Sequence, residues 1–138
     1  MPAKIFINLP VTDLKRAMDF YARIGFTNNP QFTDETAACM VFSEEIYVML
    51  LTHPKFSFFT EKAIADTHKV VAAILSLSLD SPEQMNQMME QGLAAGGTEP
   101  RPAADYGFMQ QRSLTDPDGH SWEVFYMDMS KAPQANNS

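Results

Sequence analysis

The sequence predicts an α+β fold: two βαβββ modules whose strands form a curved mixed sheet around a concave pocket. Three observations carry this. A strand-then-helix pattern begins at Ile5 and again at Ile74, so the 138-residue chain divides into two similar halves. Each helix is followed by β-rich stretches with turn residues at strand-like intervals. The strands alternate apolar with more polar side chains, which gives each a face for a core and a second face free for other use.

The first strand has Ile5, Ile7 and Leu9 on one face and Lys4, Phe6 and Asn8 on the other. Thr12 and Asp13 can cap the helix that follows. Leu14, Ala17, Met18, Tyr21 and Ile24 recur along it at intervals of three and four, and Gly25 stops it. Residues 31–33 and 37–42 read as strands, and Glu44-Glu45 turns the chain into a further strand over 46–52. This module covers about 4–53. A connector over 54–70 carries Phe56, Phe58 and Phe59, with a short helix predicted over 61–65.

The second module covers about 71–128. In its first strand Leu75, Leu77 and Leu79 should meet a helix, leaving Ile74, Ser76 and Ser78 opposite. Ser81-Pro82-Glu83-Gln84 supplies an N-cap, a proline at the first helical position and a capping-box glutamine. The helix should carry Met85, Met88, Met89 and Leu93 inward and end at Gly96-Gly97. Asp116-Pro117-Asp118-Gly119 is a hairpin turn joining strands at 108–114 and 122–127. Trp122, Val124 and Tyr126 share one face there, and Ser121, Glu123 and Phe125 the other. The module's second strand has no signal of its own and is supplied by analogy with the first module. Residues 131–138 are polar, include Pro133, and read as a disordered tail.

Composition bounds the function. With 45% hydrophobic and 20% charged residues, residues 1–130 form one domain able to bury its own core. The only cysteine, Cys39, cannot form an internal disulfide, which favours a reducing, cytoplasmic setting. Ten basic against 17 acidic residues give a net charge of −7 with no Lys/Arg run, so no nucleic-acid partner is expected. No apolar stretch approaches the roughly 20 residues a bilayer requires, so no membrane partner is expected either.

Leu9-Pro10-Val11-Thr12-Asp13-Leu14, leading to Asp19-Phe20-Tyr21 and Gly25-Phe26, together with the segment from Asp116 to Glu123, resembles the vicinal oxygen chelate superfamily. That group includes glyoxalase I, extradiol dioxygenases and bleomycin-resistance proteins. The resemblance spans about residues 4–128. It implies a small-molecule ligand, and two activities stay open: a lactoylglutathione lyase-like or extradiol dioxygenase-like enzyme, or a non-catalytic binder that sequesters an antibiotic-like ligand between subunits. The superfamily's metal-ligand positions fall on Phe6, near Leu50, and on Ile74 and Glu123. Only Glu123 offers a donor, so no resident cofactor or metal is expected, although a chelating substrate could bring a divalent ion with it.

Glu123 is the candidate catalytic residue, because a carboxylate desolvated in a cup can serve as a general base. Its alternative role is an ion pair with Arg112 on the neighbouring strand. The candidate ligand-binding residues are Phe6, Asn8, Leu50, His53, Ser76, Ser78 and Tyr106. Asn8, Ser76 and Ser78 could orient a ligand or simply bond one another across the strands. His53 could reach over the pocket mouth or merely end a strand, and Tyr106 could form a wall. His120 should be solvated or locally bonded beside its turn, and His68 has no patterned partner. Phe6, Asn8, Leu50, Ser76, Ser78 and Glu123 are expected to converge on one cavity. A homodimer is expected from the phenylalanines of the connector and from the superfamily's pairing of modules between chains.

Overall fold

In the computed structural model, which describes residues 2–132, the chain begins with β1 (Ile5–Val11), α1 (Leu14–Arg23), β2 (Thr27–Asn29), β3 (Ala37–Val41) and β4 (Ile46–Thr52). A short helix α2 (His53–Phe56) opens the connector. Then come β5 (Ile74–Leu79), α3 (Pro82–Ala94), β6 (Ala104–Asp105), β7 (Met109–Thr115) and β8 (Ser121–Met127). The tail expected to be disordered lies, from residue 133, outside the described residues; Met129–Lys131 before it is a 3-10 turn capped by Asp128. Among the described residues no helix is long and apolar enough to cross a membrane.

The strands make two four-stranded sheets of the same design, ordered β1-β4-β3-β2 and β5-β8-β7-β6. In each, the first strand pairs parallel with the last and the remaining pairs are antiparallel. A parallel pair needs a crossover, and the helix of each module supplies it. The architecture is the expected α+β pair of βαβββ modules, and the chain's two sheets are separate, with β1 and β5 each at an edge.

Local chemistry accounts for the helices. Asp13 accepts the Arg16 amide at 3.1 Å to open α1, and Ser81 Oγ accepts the Gln84 amide at 3.0 Å to open α3. Gln84 reaches back one residue further than a standard capping box, to the Asp80 amide at 2.9 Å.

Three local expectations are corrected, and the strand supplied by analogy is found. Pro30 lacks an amide proton, so residues 30–32 form a 3-10 turn and the strand lies earlier, at Thr27–Asn29. The connector's helix is α2, capped by Thr52, and residues 61–65 are not helical. The module's missing strand is β6, only two residues long. Leu93 is 38% exposed, and the buried series continues from Met85, Met88 and Met89 to Gly92. A Cβ at Gly92 would stand 2.7 Å from Leu114 Cδ2, so the glycine lets α3 lie close against β7.

The helix-covered faces of both sheets share one core. Phe20, Tyr21, Met40, Leu50, Met89, Leu114 and Val124 are fully buried in it, and α1 packs on α3. Trp122 of the second module meets Tyr21 and Phe26 of the first, with ring centroids 5.9 and 6.1 Å apart. At the centre the Tyr21 hydroxyl donates to Asp116 Oδ2 at 2.6 Å and accepts from Trp122 Nε1 at 2.9 Å. Asp116 Oδ1 accepts the amides of Asp118 and His120 at 3.0 and 2.8 Å. Burial holds the Tyr21 phenol well above its ordinary pKa, and the nearby Asp116 charge adds to this. Burial likewise raises Asp116, against the opposing pull of His120 and the Tyr21 hydroxyl. Tyr21→Phe keeps the ring but leaves Asp116 short of a donor and Trp122 without its acceptor. It should lower stability by about 1–3 kcal/mol, read from the midpoint of urea denaturation.

Candidate functional site

Each sheet turns one face to the shared core and leaves the other open. On the first sheet Phe6 of β1 stacks on Tyr47 of β4, with centroids 4.3 Å apart and planes 11° from parallel. The two rings, with Met49, Cys39 and Phe32, border a cavity of about 360 Å³. On the second sheet the register sets Ser76 and Ser113 on either side of Glu123. Glu123 is half-buried, and its Oε2 accepts Gln111 Nε2 at 2.7 Å. Tyr106, 60% exposed, borders a small recess with Gln111 and Ser113.

The alternation that places Glu123 also removes Arg112 from it. Arg112 pairs in register with Val124 and so points to the opposite face, which corrects the expected ion pair. Its guanidinium instead grips Glu99 at 2.9 and 2.8 Å and donates to Asn86 Oδ1 at 3.0 Å. Those bonds hold the Glu99 carboxyl below its usual range and raise Arg112 in turn. Gln111 is the partner that sequence reading missed. Counting back across the turn from Glu123 would have placed it on the open face.

Leu50 is fully buried in the core, opposite Leu9, and is not on the open face. The open-face residue of β4 is Met49, beside Asn8, because a shift of one residue reverses a strand's faces. The expected convergence on one cavity is corrected as well. Phe6 borders the 360 Å³ cavity and Asn8 a different one of about 440 Å³. Ser76, Ser78 and Glu123 stand together on the second sheet.

The histidines separate clearly. His120 is 6% exposed, and its Nε2 donates to the Pro10 carbonyl at 2.7 Å, tying the hairpin to β1. This corrects the expectation that it is solvated or bonded locally beside its turn. His53 begins α2, and with His68 it borders a cavity of about 250 Å³ that also meets Thr12, Asp66 and Asp118. Phe58 and Phe59 are 85% and 70% exposed, and the Lys55 ammonium lies 5.9 and 5.8 Å from their ring centres.

A divalent metal does not fit this donor set. Among the described residues no three His, Cys, Asp or Glu side chains lie close enough to hold one. The open faces present Phe6, Met49 and Ile74 where ligands would be needed, and one carboxylate, Glu123.

Paired βαβββ modules with a helix-covered core and open sheet faces define a recognisable class. The chain belongs to the glyoxalase/bleomycin resistance protein/dioxygenase superfamily, whose family model matches residues 5–124. Among curated proteins, none matches it. Among solved structures it is similar to a glyoxalase-related enzyme from Fulvimarina pelagi, at 20% identity and TM-score 0.76, over 91% of this chain and 88% of that one. The fosfomycin resistance protein FosX from Mesorhizobium loti is similar at 11% identity and TM-score 0.68, over 94% and 96%. A bleomycin resistance determinant encoded on the transposon Tn5 follows at 18% identity and TM-score 0.59, over 92% and 99%. At these identities the likeness is one of fold.

The Glu99–Arg112 pair yields a test on pH. A carboxyl held below its unfolded value stabilises the fold above the ordinary glutamate range and loses that contribution as pH falls through its folded value. Arg112→Gln should therefore cost about 1 kcal/mol near neutral pH. In urea melts the difference from the unaltered chain should narrow as the pH drops into the acid range.

Proposed function

We infer that this chain is a small-molecule-binding member of its superfamily that acts as a homodimer. Each ligand cup combines the first sheet's open face of one subunit with the second sheet's open face of the other, and holds no resident metal. The observation that carries this reading is the character of those faces. Phe6, Phe32 and Ile74 are 51%, 62% and 55% exposed, and the faces' candidate donors are Asn8, the serines and a single carboxylate, Glu123. Exposed apolar side chains of this size call for a cover. Each open face points away from the common core and is left for a cover from outside it. A second copy supplies the missing half of each. Phe58 and Phe59 extend the apolar surface available to it.

A cup lined this way suits capture of a largely apolar ligand, with Asn8, Ser76 and Ser78 orienting it and Tyr106 at the rim. Two proteins of similar fold are named for antibiotic resistance, a name that fits capture and chemical inactivation of an antibiotic-like ligand alike. The buried free thiol of Cys39 agrees with a cytoplasmic setting. A second reading rests on Glu123 itself. Half-buried and oriented by Gln111, it could serve as the general base of a metal-independent lyase or isomerase.

Sedimentation at tens of micromolar should show a dimer, and Phe6→Asp or Ile74→Asp should dissociate it; a monomeric unaltered chain would overturn the assembly. Mass spectrometry of native protein should reveal a bound small molecule, and elemental analysis no near-equimolar zinc, nickel, manganese or iron. Glu123→Gln separates the two readings. Retained affinity for that molecule, with no chemical change to it by either protein, supports sequestration. Conversion by the unaltered chain that the variant abolishes supports catalysis.

A further inference from the structure

The cavity of about 360 Å³ on the first sheet's open face has apolar walls made of rings and sulfurs. Phe6, Phe32 and Tyr47 bring three rings to it, and Met49 and Cys39 bring two sulfurs. The strand register gathers them: Phe6 pairs with Tyr47, and Met49 with Cys39 two residues further along β4 and so on the same face. Phe6 and Tyr47 lie nearly parallel, and Phe32 stands exposed at the end of the 3-10 turn that Pro30 opens. Ring–ring and sulfur–ring contacts gain from the electrostatics of the π system as well as from burial, so such walls favour an aromatic guest over a saturated one of equal size.

The polar groups at this cavity offer hydrogens rather than lone pairs. Lys4 Nζ donates to the Tyr47 hydroxyl at 3.5 Å and lies 5.6 Å from that ring's centre, which holds the ammonium at the cavity's edge. The hydroxyl's own proton is then left to donate. Asn29 Oδ1 is taken by the Gln31 amide at 3.1 Å, so the part of Asn29 left for a ligand is its NH2 group. Burial raises the Cys39 thiol above its ordinary range, and no thiolate adds negative charge.

Charge points the same way. Lys4 is the one charged residue bordering the cavity, and it makes no ion pair among the described residues. Glu123, the acid of the open faces, is on the other sheet and borders none of this space. The chain's net charge of −7 is spread over its surface, and at physiological ionic strength charges beyond about 8 Å are largely screened, so the bordering ammonium governs. A guest that supplies acceptor oxygens and a negative charge satisfies all three donors.

We propose that this cavity binds an aromatic carboxylate, its ring system against Phe6, Phe32 and Tyr47 and its carboxylate at the Lys4 ammonium. The proposal rests on the reading of this face as one half of the ligand cup, and it names the class of ligand which that half selects. All the residues involved belong to one subunit. The volume lies within the range of small-molecule pockets and has room for a fused bicyclic ring.

Titration calorimetry with naphthoate tests it, against naphthylmethylammonium for charge and decahydronaphthoate for aromaticity. Naphthoate should bind about tenfold or more tightly than the ammonium and about threefold or more tightly than the saturated acid. Lys4→Gln removes the charge from an exposed side chain, so the urea midpoint should hold while the preference for naphthoate over the ammonium is lost. Phe32→Leu, also at an exposed position, should narrow the preference for naphthoate over decahydronaphthoate. Equal binding of the three probes, or no binding of naphthoate, would overturn the proposal. Discrimination that survives unchanged in either variant would place the ligand elsewhere and overturn it as well. Sedimentation of the same samples keeps this proposal apart from the assembly: a dimer without the naphthoate preference overturns the ligand class and leaves the cup, whereas a monomer that shows the Lys4-dependent preference supports the ligand class and overturns the dimer.

Discussion

The buried bond between Tyr21 of the first module and Asp116 of the second, completed by the indole of Trp122, is the constraint on which the remaining geometry depends. Three polar groups removed from water must satisfy one another, and they do so in only one relative placement of the modules. Asp116 extends that placement into the hairpin turn through two backbone amides, and His120 carries it on to Pro10 of β1. Apolar packing alone would hold the halves together with less definition, because dispersion and burial are tolerant of small slips. The polar contacts remove that tolerance.

Two consequences follow for the surface. With both helices and both helix-covered faces spent on a common core, Phe6, Tyr47 and Met49 on one side and Ile74, Ser76 and Glu123 on the other are left outside it. The lone carboxylate there is held by Gln111, a neutral neighbour, while the arginine of the same hairpin is committed to Glu99 on the far side. The chemistry of the open faces is therefore weakly polar, suited to recognition by shape and apolar contact with a few orienting groups.

The same constraint creates the seam between the modules. Locking the turn against β1 brings Asp118 under Thr12, and the connector that must join β4 to β5 crosses above it, pinned by the Thr67 hydroxyl on the Asp118 carbonyl. A carboxylate is thereby buried with one oxygen fully engaged and the other without a partner. That arrangement differs in chemical character from the open faces.

Much of this was legible from residues a few positions apart. The duplicated strand–helix pattern, the caps at Asp13 and Ser81, the Asp-Pro-Asp-Gly turn and the solitary Glu123 are set by local geometry and by periods of two and 3.6, which neighbouring residues enforce on each other. Those periods fail where they must be counted from an uncertain starting point. The superfamily's ligand position falls near Leu50 while the open face carries Met49, and the alternative partner expected for Glu123 is Arg112 while the neighbour is Gln111, each one residue away. Only the tertiary structure could decide that Tyr21 meets Asp116 across 95 residues and Thr12 meets Asp118 across 106. Nothing in local periodicity encodes a contact between segments so far apart in the chain. Such contacts arise when two separately formed faces bury each other, and the core and the seam between the modules are made of them.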